Sequence, residues 1–113
     1  MSISTSTGAI AALSALAQEH RLAAFRLLVE AGPEGLPAGT VAEHLGVPPS
    51  SLSFHLAHLE RAGLVTKVRL GRTLVYSARF ETVRVLADYL LENCCGGRSC
   101  ADAAIPDRLA KGA

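Results

Sequence analysis

The stretch TVAEHLGVPPSSLSFHLAHLERAGLV, residues 40–65, decides the fold. Thr40 and Glu43 carry the spacing of a capping box, and Gly46 supplies a stop, so residues 40–46 read as a helix of about two turns. Val47 and Pro48–Pro49 make a tight connection. A longer helix then runs to Gly63 with Leu52, Leu56 and Leu59 on one face. At about 100° per residue, Ser50, Phe54, Ala57 and Arg61 point the other way, flanked by Ser51 and Ser53. A phenylalanine on an otherwise polar face must meet a partner or tuck under a neighbouring element.

Outward from this pair of helices the pattern stays legible. Towards the N-terminus, STSTGAIAALSALAQ offers N-cap residues followed by Ile10, Leu13 and Leu16–Ala17 at helical spacing. EHRLAAFRLLVEAGP repeats that spacing with Leu22, Phe25, Leu28 and Val29 until Gly32 and Pro33 stop it. Towards the C-terminus the period changes. LVTKVRL and TLVYSA are rich in β-branched residues, and Gly71–Arg72 between them suits a type II′ hairpin. A last helix is expected from about Glu81 through TVRVLADYLLEN, with Val83, Leu86, Leu90 and Leu91 apolar.

The chain has 113 residues and a net charge of +1, enough for one domain and too little charge to imply nucleic acid by itself. Distribution says more: residues 46–80 sum to +4, against −2 for residues 1–45 and −1 for residues 81–113. A basic middle between mildly acidic ends suits a phosphate-facing surface. No apolar run reaches the length of a membrane span, and the polar start lacks the charged region of a secretory signal. The expected location is therefore cytoplasmic, with no membrane partner, where thiols stay reduced.

Helix, helix, short helix, helix, hairpin, helix gives a mainly α fold with a small β-hairpin, the order of a winged helix-turn-helix. A short capped helix, a tight turn and a helix with a polar outer face place that second helix in a DNA major groove. The hairpin then forms a wing whose cations reach phosphates. The expected DNA contacts are Ser50, Ser51, Ser53 and Phe54 on the helix and Arg69 and Arg72 on the wing.

LAQEHRLAAFRLL, the opening stretch itself and RLGRTLVYSA together resemble the ArsR/SmtB family of metal-responsive bacterial repressors, over about residues 9–92. The resemblance implies a homodimer, held through its first and last helices, that grips two-fold-symmetric operator DNA and releases it on binding a metal or metalloid. Two inherited sensor sites are missing. The short helix, LPAGTVAEHLG, holds no cysteine, and Asp88 in the last helix is followed by Tyr89 and Leu90 rather than by a spaced histidine. NCCGGRSC instead resembles a third family arrangement, a trivalent arsenic site of three thiolates from one subunit at the end of the last helix.

The chemistry of Cys94, Cys95 and Cys100 agrees with that resemblance. An all-sulfur set selects soft acceptors, and structural zinc normally takes four ligands where three are offered here. Trivalent arsenic or antimony suits three, because a lone pair fills the fourth direction. Adjacent residues on an intact helix diverge, so Gly96 and Gly97 are expected to end it and bring Cys100 back to the pair. The domain therefore divides into a DNA-binding and dimerisation part, residues 1–93, and a cysteine-bearing flexible tail, residues 94–113. Thiol oxidation is one rival, and cadmium, lead or zinc is another. His55 and His58, three apart, read as packing or phosphate-contact residues before metal ligands. An enzyme using the cysteines as nucleophiles is disfavoured, because no phosphate-binding loop or strand-to-helix nucleophile site surrounds them.

Overall fold

The computed structural model describes residues 5–97. Five helices are present: α1 (Ser6–Leu16), α2 (Glu19–Ala31), α3 (Ala38–Leu45), α4 (Pro49–Arg61) and α5 (Phe80–Leu90). Three short strands, β1 (Leu36–Pro37), β2 (Val65–Leu70) and β3 (Thr73–Ala78), form one antiparallel sheet in the order β1-β3-β2. The sheet thus has one strand more than the expected hairpin. β1 is only a Leu-Pro pair, too short to show a period, and it occupies an edge where a proline costs no ladder bond.

The core is built mainly from one face of each of α2, α3 and α4, closed by the sheet, with Ala9, Ala12 and Ala15 of α1 and Leu86 of α5 joining it. Leu28, Val41, Leu52, Leu56, Leu59, Leu64 and Val65 are its largest fully buried side chains. Leucines of this kind each contribute roughly 1.5–3 kcal/mol by leaving water. Tyr76 and Ala78 of β3 cover the same core.

α1 behaves differently from its expected pattern. Its buried residues are Gly8, Ala9, Ala12 and Ala15, while Ile10 and Leu13 face outward. Helical spacing was present in both sets, and the small residues won because α1 lies close against its neighbours. The corner into α2 is clasped by Arg21, whose guanidinium donates to the carbonyls of Ala15 at 2.7 Å and Ser14 at 3.4 Å. Gln18 caps α2 by accepting from the Arg21 amide at 2.9 Å.

α3 starts two residues earlier than its capping box predicts. It begins directly after the proline of β1, and its N-terminus has no side-chain cap, so Thr40 lies inside the first turn. Its other end is as expected: the Val47 amide bonds back to the Ala42 carbonyl at 3.2 Å. α4 ends in the same manner, with Leu64 bonded to Leu59 at 3.0 Å. That turn anchors α5, because Thr82 donates its hydroxyl to the Gly63 carbonyl at 2.7 Å and the Arg79 amide bonds Leu64 at 2.9 Å.

β2 and β3 pair from Val65↔Ala78 to Leu70↔Thr73, which leaves Gly71–Arg72 as a two-residue turn. Gly71 has φ 64° and Arg72 does not share that sign, the combination of a type II′ turn. At the other end of the sheet, Gly35 has φ 71° and passes so close to Tyr76 that a Cβ would strike its backbone carbonyl. Gly35→Ala should therefore lower stability by roughly 1–3 kcal/mol. Gly39→Ala, inside α3 with open space around it, should be neutral or slightly stabilising. Thermal denaturation of the two variants checks the contrast.

Candidate nucleic-acid interface

α4 owes its orientation to Leu52, Leu56 and Leu59, which are buried beneath it. The helical period then turns Ser50, Ser51, Ser53 and Phe54 to the surface, and all four are exposed. Pro49 opens the helix and no side chain caps it. An uncapped helix start carries a partial positive charge suited to a phosphate oxygen. Arg61 is exposed at the other end of the same face, a contact candidate that its position on the helical wheel makes visible from sequence.

Alternation along β2 settles which side of the wing faces α4. Val65 is buried and Lys67 pairs with Glu60 of α4 at 3.4 Å, so residues 65, 67 and 69 share the side towards that helix. Arg69 is therefore exposed beside the α4 surface, and Arg72 stands at the wing tip. No ion pair among the described residues involves Arg69 or Arg72. Lys67 differs: its bond to Glu60 steers the wing and leaves less of its charge for a phosphate. An open groove of about 610 Å³ separates Arg72 from the start of α3, lined also by Pro37, Thr40 and Glu43.

The two histidines of α4 lie on its flank towards α1 and α2, away from the exposed centre. The His55 ring sits 5.6 Å from that of His20, and its Nδ1 is buried without a hydrogen-bond partner. Burial holds the His55 imidazole below the usual histidine range, and the nearby His20, Arg21 and His58 push the same way. His58 is lowered too, by burial and then by Arg21 and Arg61. His55 packs against His20, and His58 is half-buried beside Ala11, Ser14 and Arg61. Among the described residues, no three histidine, cysteine or acidic side chains are grouped to hold a metal ion.

Cys94 and Cys95 follow α5 rather than lying on α4 or the wing. α5 stops at Leu90, earlier than Asn93, and the backbone turns sharply through Asn93, Cys95, Gly96 and Gly97, all with positive φ. The bend thus begins before the two glycines and takes in one of the cysteines. It brings the Cys94 and Cys95 sulfurs to 3.6 Å, a meeting that adjacent positions of a continuous helix disfavour. Cys100 lies outside the described residues. On the neighbouring helices, Leu13 (43% exposed) and Leu90 (57%) are available to a partner surface. Leu86 is buried within the protomer and Leu16 is half-buried against its core, so these two apolar positions of the first and last helices add little to that surface.

A short helix, a tight turn and a surface-facing second helix, flanked by a cationic hairpin, define a winged helix-turn-helix of the DNA-binding class. A helix-turn-helix domain model matches residues 16–68, from the end of α1 into β2. The transcriptional activator HlyU of Vibrio cholerae is 31% identical over 90 residues, covering 80% of this chain and 81% of that one. The structure of reduced HlyU superimposes with a TM-score of 0.62 and 92% of that chain covered. An ArsR-like transcriptional regulator from Rhodococcus sp. RHA1 is 27% identical, with a TM-score of 0.65 over 80% of this chain and 82% of the other. A homodimeric winged helix-turn-helix DNA-binding domain from Mycobacterium bovis, 21% identical, shares the fold with a TM-score of 0.63 over 81% and 85% of the two chains. The chain belongs to the ArsR family of winged helix-turn-helix transcription regulators. It is a DNA-binding regulator rather than an enzyme. No helix among the described residues is long and apolar enough to cross a membrane.

Arg72→Ala should weaken binding to all duplex sequences alike and reduce the slope of log K against log salt by roughly one unit, whereas Lys67→Ala should change it less. Salt titrations of duplex binding check both. The histidines give a pH signature. Their folded pKa values lie below the ordinary 6.5, so the unfolded chain takes up protons first as pH falls. Stability should therefore decline as pH drops below about 6.5 and level off once the folded-state values are passed. Melting temperatures at pH 7.5 and pH 5 would show the decline, and His55→Gln should reduce it.

Proposed function

We propose that the protein is a repressor that binds a two-fold-symmetric operator as a homodimer. On this reading, trivalent arsenic or antimony bound by Cys94, Cys95 and Cys100 releases it. The observation that carries the ligand is the 3.6 Å approach of the Cys94 and Cys95 sulfurs at the bend after α5. Two sulfurs at that distance, each bonded at about 2.3 Å to a shared atom, subtend an angle of about 100° there. Both a pyramidal trivalent centre and a tetrahedral ion accept such an angle. Donor number favours the former, since three cysteines are offered and no histidine or carboxylate is grouped with the described pair.

Assembly follows from the domain's single reading helix. A palindromic operator needs two such helices about one DNA turn apart, roughly 34 Å, hence a dimer. The exposed Ile10 and Leu13 on α1, with Leu90 at the end of α5 and Leu91 just after it, supply apolar surface for it. Cys94 and Cys95 follow α5 and are not part of α4, so the ligand acts through the relative setting of the two protomers. A coupling of about 1–3 kcal/mol would weaken DNA binding roughly 5- to 150-fold, and operator would weaken metalloid binding by the same factor.

The same 3.6 Å approach, with Cys95 exposed, also favours a second reading in which thiol oxidation, or another soft ion such as cadmium, lead or zinc, throws the switch. Operator binding by fully reduced protein, titrated without oxygen against arsenite, antimonite, the three divalent ions and peroxide, separates these. Cys94→Ser, Cys95→Ser and Cys100→Ser should each retain DNA binding and lose most of the arsenite response. Full response in all three would place the sensor elsewhere.

A further inference from the structure

Phe54 is the unexplained side chain of the interface. It lies near the centre of the outward face of α4, one turn in from the helix start, and is 65% exposed. Leaving a phenyl group in water forfeits the stabilisation that burial gives it. The ring nevertheless has a defined support. It stands at a steep 70° to the His55 ring with centroids 6.1 Å apart, and His55 is packed against His20. That aromatic row aims Phe54 outward from the body of the domain.

Its neighbours limit what this part of the helix can read. Ser50, Ser51 and Ser53 are short and carry one hydroxyl each, so none makes the bidentate contacts that arginine or glutamine makes with a base edge. Phe54 is the only long side chain on the exposed face of the first two turns, and it has nothing to donate or accept. The major-groove edge of B-DNA presents one apolar group, the C5-methyl of thymine.

We infer that Phe54 is a specificity-determining residue that selects a thymine in each operator half-site by covering its C5-methyl. The inference rests on the proposal that α4 enters the major groove, and it adds what the helix recognises there. Serine hydroxyls and the uncapped helix start hold the register, while the phenyl ring supplies the discrimination.

Deoxyuridine tests this directly, because it differs from thymidine only by that methyl. Duplexes would be selected from a random library with the wild-type dimer, and each thymine in the selected site replaced in turn. At one position per half-site, deoxyuridine should weaken wild-type binding about fourfold, the value of one buried methyl. Other thymines should tolerate the change. Phe54→Ala should bind more weakly and show no deoxyuridine penalty at that position, while Phe54→Leu should keep part of it. Circular dichroism checks that both variants fold. Wild-type protein that binds its selected duplex with equal affinity after every thymine replacement would overturn the inference, as would an undiminished penalty in Phe54→Ala. A library that yields no bound duplex would instead overturn the DNA-binding mode on which the inference depends.

Discussion

The burial of Leu52, Leu56 and Leu59 beneath α4 is the constraint on which the rest of the molecule depends. Three leucines at helical spacing can enter the core in only one rotational setting of the helix, and replacing one with alanine would cost roughly 2–5 kcal/mol. That cost fixes the opposite face as firmly as the buried one. The serines and Phe54 owe their exposure to the core, which leaves the surface free to vary in sequence without loss of aim.

The remaining elements position the wing and the last helix relative to α4. Leu64 and Val65 continue the buried row into the sheet, and the carbonyls of the intervening turn receive α5 through Thr82 and Arg79. A change in the setting of α5 therefore has a short route to α4, through one turn of backbone. The exposed Lys67–Glu60 pair is worth little in stability, about 0–1 kcal/mol, yet it holds the wing beside α4.

Most of this was legible in the sequence because the signals were periodic. Leu52, Leu56 and Leu59 mark α4 without ambiguity, and Gly71–Arg72 mark the hairpin turn. Failures arose where local signals competed. Thr40 and Glu43 have the spacing of a capping box, but the sheet edge at Leu36–Pro37 starts α3 earlier, and two residues of strand leave no pattern to detect. In α1, large apolar residues and alanines both recur at helical spacing, and only the close approach of the neighbours shows that the alanines are buried. At the candidate interface, the exposed serines, Phe54, Arg69 and Arg72 were readable from period and charge. The commitment of Lys67 to Glu60 was not, because it joins residues on two different elements. The early end of α5 was also hidden, since Leu90 and Leu91 continue an apolar pattern that the backbone abandons.

The order β1-β3-β2 leaves β2 with an open edge. Unprotected edges invite a second strand to add, the first step of sheet-to-sheet aggregation, and charged residues are a common safeguard. Here the safeguard consists of Lys67 and Arg69: two wings approaching edge to edge would crowd four cations together. The wing therefore draws colloidal solubility from its edge cations, of which Arg69 also belongs to the candidate DNA surface. Its exposed Val68 and Leu70 make that protection necessary. Neutralising this edge of the wing would therefore make the protein stickier to itself.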